Sequence, residues 1–374
     1  MAGIYLHIPF CRQACSYCDF HFSTSLKHKD ALLDAMKSEL LMRKQELRIP
    51  LQSIYFGGGT PSVLSTVEIE EFIDLIKSNF ILDIEVEITL EANPDDLTKE
   101  KVEELANSSI NRLSVGIQSF RDADLQLMNR AHNALEAEES LELISKNFEL
   151  FTLDLIYGIP GLTNEDWERN IRKALSYNLK HLSAYALTVE EKTALEYQIR
   201  KKKVAPIDEN LAQEQFFILK SILEEEGFEH YEISNFAKDG SYAINNTAYW
   251  KGEPYLGIGP SAHSYDQKNR SWNISNNAKY IKSIKEGILP LEQEKLSVWE
   301  AYNEYVMTGL RTMWGIRLEE LKSKFSEELF DYFIKSSTTK IESNILIKEK
   351  GSIYIHPSKL FFADGIASDL FFVP

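Results

Sequence analysis

The sequence predicts an α/β protein: six strand–helix units forming a partial barrel, followed by a smaller α+β region. Three observations carry that expectation. Short apolar, β-branched runs alternate with longer amphipathic stretches through residue 226, and such alternation builds a parallel sheet with helices outside. Each predicted strand ends in polar or glycine-rich residues, where folds of this kind place their chemistry. Beyond residue 291, helices followed by a hairpin give a winged-helix-like pattern.

The elements follow in order. Residues 4–8 read as a strand and 26–47 as a helix. Strands at 53–56, 85–90 and 113–117 alternate with helices at 67–79, 99–107 and 135–147. Strands at 150–156 and 181–187 are followed by helices at 166–177 and 209–226. Six such units suit an open (β/α)6 TIM-type barrel better than a closed eightfold one. After residue 190 the pattern loosens. The basic run starting at Arg200 reads as a solvated helix end. Residues 231–236 read as a further strand and 256–263 as a glycine-rich turn. Helices at 298–310 and 318–325 and a hairpin at 345–355 complete the chain. The expected division is a barrel over 1–230, a flanking extension over 231–290 and a cap over 291–374.

Composition excludes several roles. With 44% hydrophobic and 26% charged residues among 374, the chain can bury a large core. Acidic residues outnumber basic ones 57 to 41, for a net charge of −16. That disfavours a nucleic-acid backbone binder, which needs a basic surface, and docking on anionic lipid. No apolar run approaches the roughly 20 residues of a membrane span. The opening residues lack the basic region and long apolar run of a signal peptide, so a cytoplasmic location is expected.

Cysteine is the most informative residue type. The chain has three, Cys11, Cys15 and Cys18. A disulfide framework would favour an even number spread along the chain. Three thiols so close together suit ligands of one inorganic centre. Zinc would need a fourth ligand, from His7 or His21, and compact zinc sites usually use two separated ligand pairs. A [4Fe–4S] cluster on three thiolates would leave one iron open to an external chelating ligand.

The Cys-x3-Cys-x2-Cys spacing, in the loop after a first strand, resembles the radical S-adenosylmethionine (SAM) superfamily. Gly57-Gly58-Gly59-Thr60 after strand two fits, since glycine lets backbone approach a ligand closely. The likeness extends across nearly the whole chain. Tyr5-Leu-His-Ile-Pro-Phe-Cys11, Glu91-Ala-Asn-Pro94, Gly116-Ile-Gln-Ser-Phe120, Asn129-Arg-Ala-His132, Asp154-Leu-Ile-Tyr-Gly158 and Tyr231-Glu-Ile-Ser-Asn-Phe236 resemble the oxygen-independent coproporphyrinogen III oxidase family. The resemblance implies a [4Fe–4S] cluster on Cys11, Cys15 and Cys18, with SAM chelating the open iron. It further implies that Tyr5 lies beside the cofactor and Tyr17 shields the cluster. Gly58, Gly59 and Thr60 would line the methionine site. Glu91, Gln118, Arg130 and Asp154 would hold the cofactor's polar parts. Each of the four also has a plainer reading: Glu91 as a turn cap, Gln118 as a loop partner, Arg130 paired with a surface acid, Asp154 bonded to nearby amides. A charge ending an apolar strand, as at Asp154, is costly unless paired.

The family has an oxidase branch, which decarboxylates two propionates of a porphyrinogen, and a HemW-like branch of haem chaperones. Phe20 stands where the oxidase carries an extra cysteine, and the oxidase's segment before strand one has no counterpart here. Both features favour the HemW-like branch. The stretch Asn245-Asn-Thr-Ala-Tyr-Trp250 is similar to that branch's His-Asn-x-x-Tyr-Trp, with asparagine in place of histidine. If haem is the cargo, His263 or His7 would have to replace that histidine, although packing is the ordinary role of either. Tyr249, Trp250 and Tyr255 could stack on a porphyrin or simply pack. The implied partners are haem or a porphyrinogen, a haem-acceptor protein, and an electron donor such as a flavodoxin or ferredoxin. Whether the chain is itself a catalyst, by decarboxylation to protoporphyrinogen IX, is left open by the sequence.

Overall fold

The computed structural model describes residues 2–374. Its barrel begins with β1 (Gly3–Ile8) and α1 (Lys29–Arg43), β2 (Leu51–Gly58) and α2 (Thr66–Asn79), and β3 (Leu82–Ala92) and α3 (Lys99–Ala106). β4 (Arg112–Gln118) leads through the short α4 (Asp122–Leu127) to α5 (Ala134–Asn147). β5 (Phe151–Tyr157) and α6 (Asn164–Leu175) follow, then β6 (His181–Ala186), a short α7 (Ala194–Arg200) and α8 (Glu209–Glu225). Helix starts are fixed locally. Ser65 with Glu68 and Asn133 with Glu136 form reciprocal capping boxes at α2 and α5.

The chain continues with β7 (Glu229–Glu232), β8 (Asn235–Ala237), α9 (Ile244–Trp250), β9 (Tyr255–Ile258), β10 (His263–Tyr265), β11 (Asn269–Asn273), α10 (Asn277–Lys285) and β12 (Leu291–Lys295). The large sheet runs β12-β11-β10-β9-β1-β2-β3-β4-β5-β6-β8-β7. The stretch from β9 to β6 is parallel and both flanks are antiparallel. The six strand–helix units are as expected. Two details differ. Residues 231–236 contribute to a tight hairpin, β7–β8, rather than one strand. The predicted glycine-rich turn contains β9, a seventh parallel strand pairing Gly3 with Tyr255 and Leu6 with Ile258. Leu256 and Ile258 bury in the core. Gly257 is required there, because a Cβ would stand 2.0 Å from the His263 carbonyl oxygen.

The last region holds α11 (Val298–Leu310), β13 (Ile316–Arg317), α12 (Leu318–Lys324), α13 (Glu327–Glu342), β14 (Leu346–Glu349), β15 (Ser352–Ile355) and α14 (Ala363–Ser368). The antiparallel sheet β13-β15-β14 with three helices before its hairpin is a winged-helix order. It has its own apolar cluster, including Tyr302, Phe333 and Ile353.

Alternation along the strands sorts the barrel into two faces. Ile4, Leu6, Ile54, Phe56, Leu90, Val115, Leu153 and Leu155 point outward into the core under the helices. Tyr5, Ser53, Tyr55, Thr89, Glu91, Arg112, Ser114, Thr152, Asp154 and Ser183 line a cavity inside. Barrel interiors are commonly filled by branched apolar side chains. A polar interior is built to hold a ligand.

One buried ionic network ties the β9–β11 flank to the barrel. Glu39, on α1, accepts from Arg43 Nη1 at 3.1 Å, Gly259 N at 2.9 Å and Asn273 Nδ2 at 2.7 Å, and from the Tyr280 hydroxyl. Both charges are buried. Glu39→Ala removes one partner of a buried pair, and chemical denaturation should show a loss of about 3–5 kcal/mol. A loss below about 1 kcal/mol, typical of an exposed pair, would show the network to be unimportant.

Candidate functional site

The three cysteines sit in the loop after β1, and the loop is held from several sides. Cys11 N donates to Ser23 O at 3.1 Å, Thr60 N to Phe10 O at 2.7 Å, and Ser16 N to Met128 O at 2.9 Å. Asn129 Nδ2 donates to Ala14 O at 2.7 Å. Arg12 pairs closely with buried Asp96, which also accepts from Ser62 Oγ at 2.7 Å. The thiols are free and partly buried. All three line one cavity of about 510 Å³, shared with Tyr17, Gly58, Gly59, Thr60, Glu91, Gln118, Arg130 and Asp154. The fold thus brings together every site residue expected from sequence except Tyr5. Tyr5 lies on the wall of the adjoining interior cavity, its ring 6.0 Å from that of Tyr55 and its hydroxyl 3.2 Å from His7 Nδ1.

Local features explain how each side chain is placed. Gln118 ends β4 with φ of 67°, a left-handed backbone uncommon outside glycine, where the register with β5 slips. Arg130 donates from Nη2 to Asn93 Oδ1 at 2.7 Å and Gly116 O at 2.8 Å, and from Nη1 to Cys15 Sγ at 3.3 Å. Glu91 accepts from the Tyr55 hydroxyl at 2.8 Å and from Gly58 N at 3.1 Å. Asp154 accepts weakly from Ser114 Oγ at 3.4 Å. Asn93 also donates to Thr60 Oγ1 at 3.3 Å. Asn93 and Ser114 were not singled out from sequence; Asn93 lies inside a quoted motif, two residues after Glu91.

Burial dominates the electrostatics of the site. Burial pushes Glu91 up to about 7, reinforced by the charge of Asp154 and opposed by its hydrogen bonds. Burial likewise lifts Asp154 to about 6, against the pull of Ser183 and Ser114. Burial raises the Cys11 thiol and pushes Cys18 up to about 11, so ionisation of either calls for a metal. Asp154 Oδ1 and Arg130 Nε are buried without a hydrogen-bond partner. Among the described residues, no three His, Cys, Asp or Glu side chains converge on a single-ion position. Three thiols spread around one cavity suit a cluster, which spreads its thiolate ligands over several irons.

Next to the cysteine cavity lies the interior cavity, of about 870 Å³. The two share Asp19, Phe20, Glu91, Ser114, Asp154 and Tyr185 in their walls. At the start of α9, Ile244 N and Asn245 N donate to Glu87 Oε1 at 3.0 and 3.3 Å. Arg112 Nη1 pairs with the other Glu87 oxygen at 3.1 Å. His7 and His263 both line the cavity. His7 is committed, since Nε2 lies 2.9 Å from His21 O and Nδ1 faces Tyr5, and burial holds its pKa down at about 4. His263 rests against Trp272, ring centroids 6.0 Å apart.

Comparison with known proteins now places the chain. The radical SAM superfamily pattern matches residues 5–174, and the HemN C-terminal domain matches residues 296–358. The chain is 33% identical to "Heme chaperone HemW" of Bacillus subtilis over 366 residues, covering 96% of this chain and 97% of that protein. It is also 33% identical to the HemW of Lactococcus lactis, covering 94% and 92%. The fold is that of the Escherichia coli coproporphyrinogen III oxidase HemN, with a TM-score of 0.85 and 21% identity, covering 99% of this chain and 90% of that one. The chain therefore belongs to the radical SAM superfamily. Within it, the chain belongs to the family of the heme chaperone HemW. The superfamily's cofactors are a [4Fe–4S] cluster and SAM, and the thiols, glycine cradle and orphaned polar atoms fit both. Among the described residues no helix is long and apolar enough to cross a membrane.

Proposed function

We propose that this protein is a radical SAM haem chaperone that binds a tetrapyrrole in its barrel and passes haem to an acceptor protein in the cytoplasm. The observation that carries the reading is kinship with HemW proteins along almost the full length of both chains. The solved oxidase, at 21% identity, shares the fold. Phe20, beside the third cysteine, lies 68% exposed at the join of the two cavities. It presents an apolar ring there rather than a thiol.

Each residue has a role in this reading. Cys11, Cys15 and Cys18 hold the cluster, and Tyr17 covers it. Gly58, Gly59 and Thr60 admit the methionine end of SAM. Glu91 and Asp154 face its positive charge, and Gln118 and Arg130 take its polar groups. Bound together, cluster and SAM supply one-electron chemistry; a flavodoxin or ferredoxin fits as electron donor. Residues 1–230 form the barrel, 231–290 its extension and 291–374 the cap. Of the two histidines suggested as haem ligands, His263 is the better placed, because His7 already engages both ring nitrogens.

Haem titration of anaerobically prepared protein, followed by transfer to an apo-haemoprotein, tests the proposal. Saturable binding and transfer are expected, without conversion of coproporphyrinogen III. Turnover of that porphyrinogen to protoporphyrinogen IX, with no haem transfer, would replace this reading with the oxidase.

SAM affinity should also depend on pH. Glu91 and Asp154 carry raised pKa values of about 7 and about 6. Both are protonated in the acid range, and a bound cation favours their ionised forms. Binding therefore releases protons, and affinity should fall as pH drops from 8 toward about 5.5. The sign for the unliganded fold is opposite: retained protons stabilise it at low pH, and that contribution is lost as pH rises through about 6 to 7. Calorimetry in buffers of different ionisation heat reads the proton count directly. Proton uptake on binding would contradict these roles.

A further inference from the structure

The basic run Arg200-Lys201-Lys202-Lys203 has no part in the cofactor site described above. It stands at the end of α7, and α7 is tied to the cysteine loop. Leu187, Thr188 and Glu190, in the connection from β6 to α7, line the cavity that holds the three thiols. At the start of α7, Leu195 N donates to Ser16 O at 2.7 Å, between Cys15 and Cys18. Leu195 and Ser16 are both buried, and the Ser16 hydroxyl donates to Leu127 O at 2.9 Å, so the anchor is fixed. An α-helix rises about 1.5 Å per residue, which puts Arg200 roughly 8 Å along the axis from that anchor.

The run is a local exception on a chain with 41 basic and 57 acidic residues. Arg200 pairs with Glu196 at 3.1 Å. Lys201, Lys202 and Lys203 are exposed, and among the described residues they have no acidic partner. Offsetting the helix dipole accounts for cations in the last turn, but Lys202, with φ of 58°, has already left the helix. Tyr197 is 48% exposed, with Arg200 and Lys201 each 5.7 Å from its ring centroid. An exposed ring bordered by cations suits an acidic protein, whose carboxylates meet the lysines while the ring packs.

The cysteines point to the kind of partner. In the reading above all three hold the cluster, so the chain has no thiol left for a relay centre. The electron that the cluster takes up then enters from another molecule. Arg12, Gln13 and Ala14, between Cys11 and Cys15, are exposed, so the cluster loop itself reaches the surface. Electron-transfer encounters bury less than about 1,200 Å² in total, a patch roughly 28 Å across on each partner. Such a patch covers the end of α7 and the cysteine loop together. The acidic remainder of the surface repels an acidic carrier and the basic run attracts it, which orients the encounter.

We infer that the basic end of α7, Arg200 to Lys203 with Tyr197, is the docking surface of a small acidic one-electron carrier protein that reduces the cluster. The carrier is oxidised by one electron and the cluster is reduced by one; no bond in this chain is made or broken. The inference rests on the electron-donor part of the reading above and adds where the donor sits and which charge it carries.

Flavodoxin, an acidic flavoprotein, is the probe. Its binding to anaerobically prepared, cluster-loaded protein is read by calorimetry, and cluster reduction by reduced flavodoxin is read by stopped-flow absorbance. One variant combines Lys201→Glu, Lys202→Glu and Lys203→Glu. A control combines Lys348→Glu, Lys350→Glu and Lys359→Glu on the cap, for the same net charge. All six lysines are exposed, so neither triple disturbs the core. The α7 triple should weaken flavodoxin binding about tenfold or more and slow reduction by flavodoxin to match. It should leave SAM affinity and reduction by dithionite unchanged. The cap triple should change binding less than about threefold. Parent binding should weaken steeply as salt is raised from about 0.05 to about 0.5 M. Binding by the parent that ignores salt would overturn the inference without any variant. Equal weakening by both triples would reduce the effect to net charge and overturn the surface. Unchanged binding by the α7 triple, or no binding by the parent, would overturn it too. In either case a dithionite-reduced cluster whose signal responds to SAM would leave the cofactor reading standing. Loss of binding to phosphatidylserine vesicles by the α7 triple, with flavodoxin binding intact, would assign the run to a lipid surface instead.

Discussion

Replacing Cys15 with alanine is expected to leave a folded protein with almost no iron or sulfide. The side chain sits in the loop after β1, partly exposed and outside the apolar core, so its loss removes little packing. A cluster held by three protein thiolates has no spare thiol, and among the described residues no fourth cysteine and no histidine lines the cavity. Cys15 also accepts from Arg130 at 3.3 Å, and Arg130 in turn holds Asn93 and Gly116. The variant should therefore lose the visible absorbance of the cluster and, with it, SAM binding. Its melting temperature in the metal-free state should stay within a few degrees of the parent. Cys11→Ala and Cys18→Ala should behave alike. Full iron and sulfide content in all three variants would remove the thiols from the account.

Gly59→Ala is expected to produce the second large effect. An added Cβ would stand 2.7 Å from Ile8 O, 2.7 Å from Phe10 O and 2.8 Å from Phe10 N. All three are backbone atoms, so no side chain can swing away to make room. The segment that must move carries Cys11, which follows Phe10 directly. Overpacking of this kind costs about 1–3 kcal/mol. Because the displaced backbone is the cluster loop itself, cluster content and SAM affinity should drop together, the latter by tenfold or more. Gly161→Ala is the control: its φ of 88° brings backbone strain, but nothing lies within 4 Å of its Cβ. It should lose about 1 kcal/mol of stability and keep its cofactors. Parallel iron analysis and SAM titration of the two variants check the contrast. Equal cofactor binding by Gly59→Ala and the parent would show that close backbone approach at Gly59 is not needed.

How far the sequence reveals this site depends on how local each signal is. The barrel strands are legible because runs such as Ile54 to Phe56 are wholly apolar, and the residues ending them stand out as polar or glycine-rich. Glu91 and Gln118 stand out at strand ends, and Asp154 as a charge within an apolar strand. β9 does not stand out, because Leu256-Gly-Ile-Gly-Pro offers only two apolar residues among breakers. Its partner is β1, at the other end of the barrel sequence, so only tertiary pairing makes it a strand. α13 was missed for a related reason. Its Ser336-Ser-Thr-Thr339 stretch has weak helix propensity, and burial of Leu329 and Phe333 holds the helix in place. Alternation along β1 turns the Tyr5 ring into the barrel interior beside Tyr55, on the wall of the adjoining cavity.

The most direct test of the central claim is the electron paramagnetic resonance spectrum of anaerobically purified, reduced protein, recorded with and without SAM. Three thiolates with one open iron predict a [4Fe–4S]⁺ signal whose shape changes when SAM is added. A protein without iron, or a cluster signal indifferent to SAM, would contradict it.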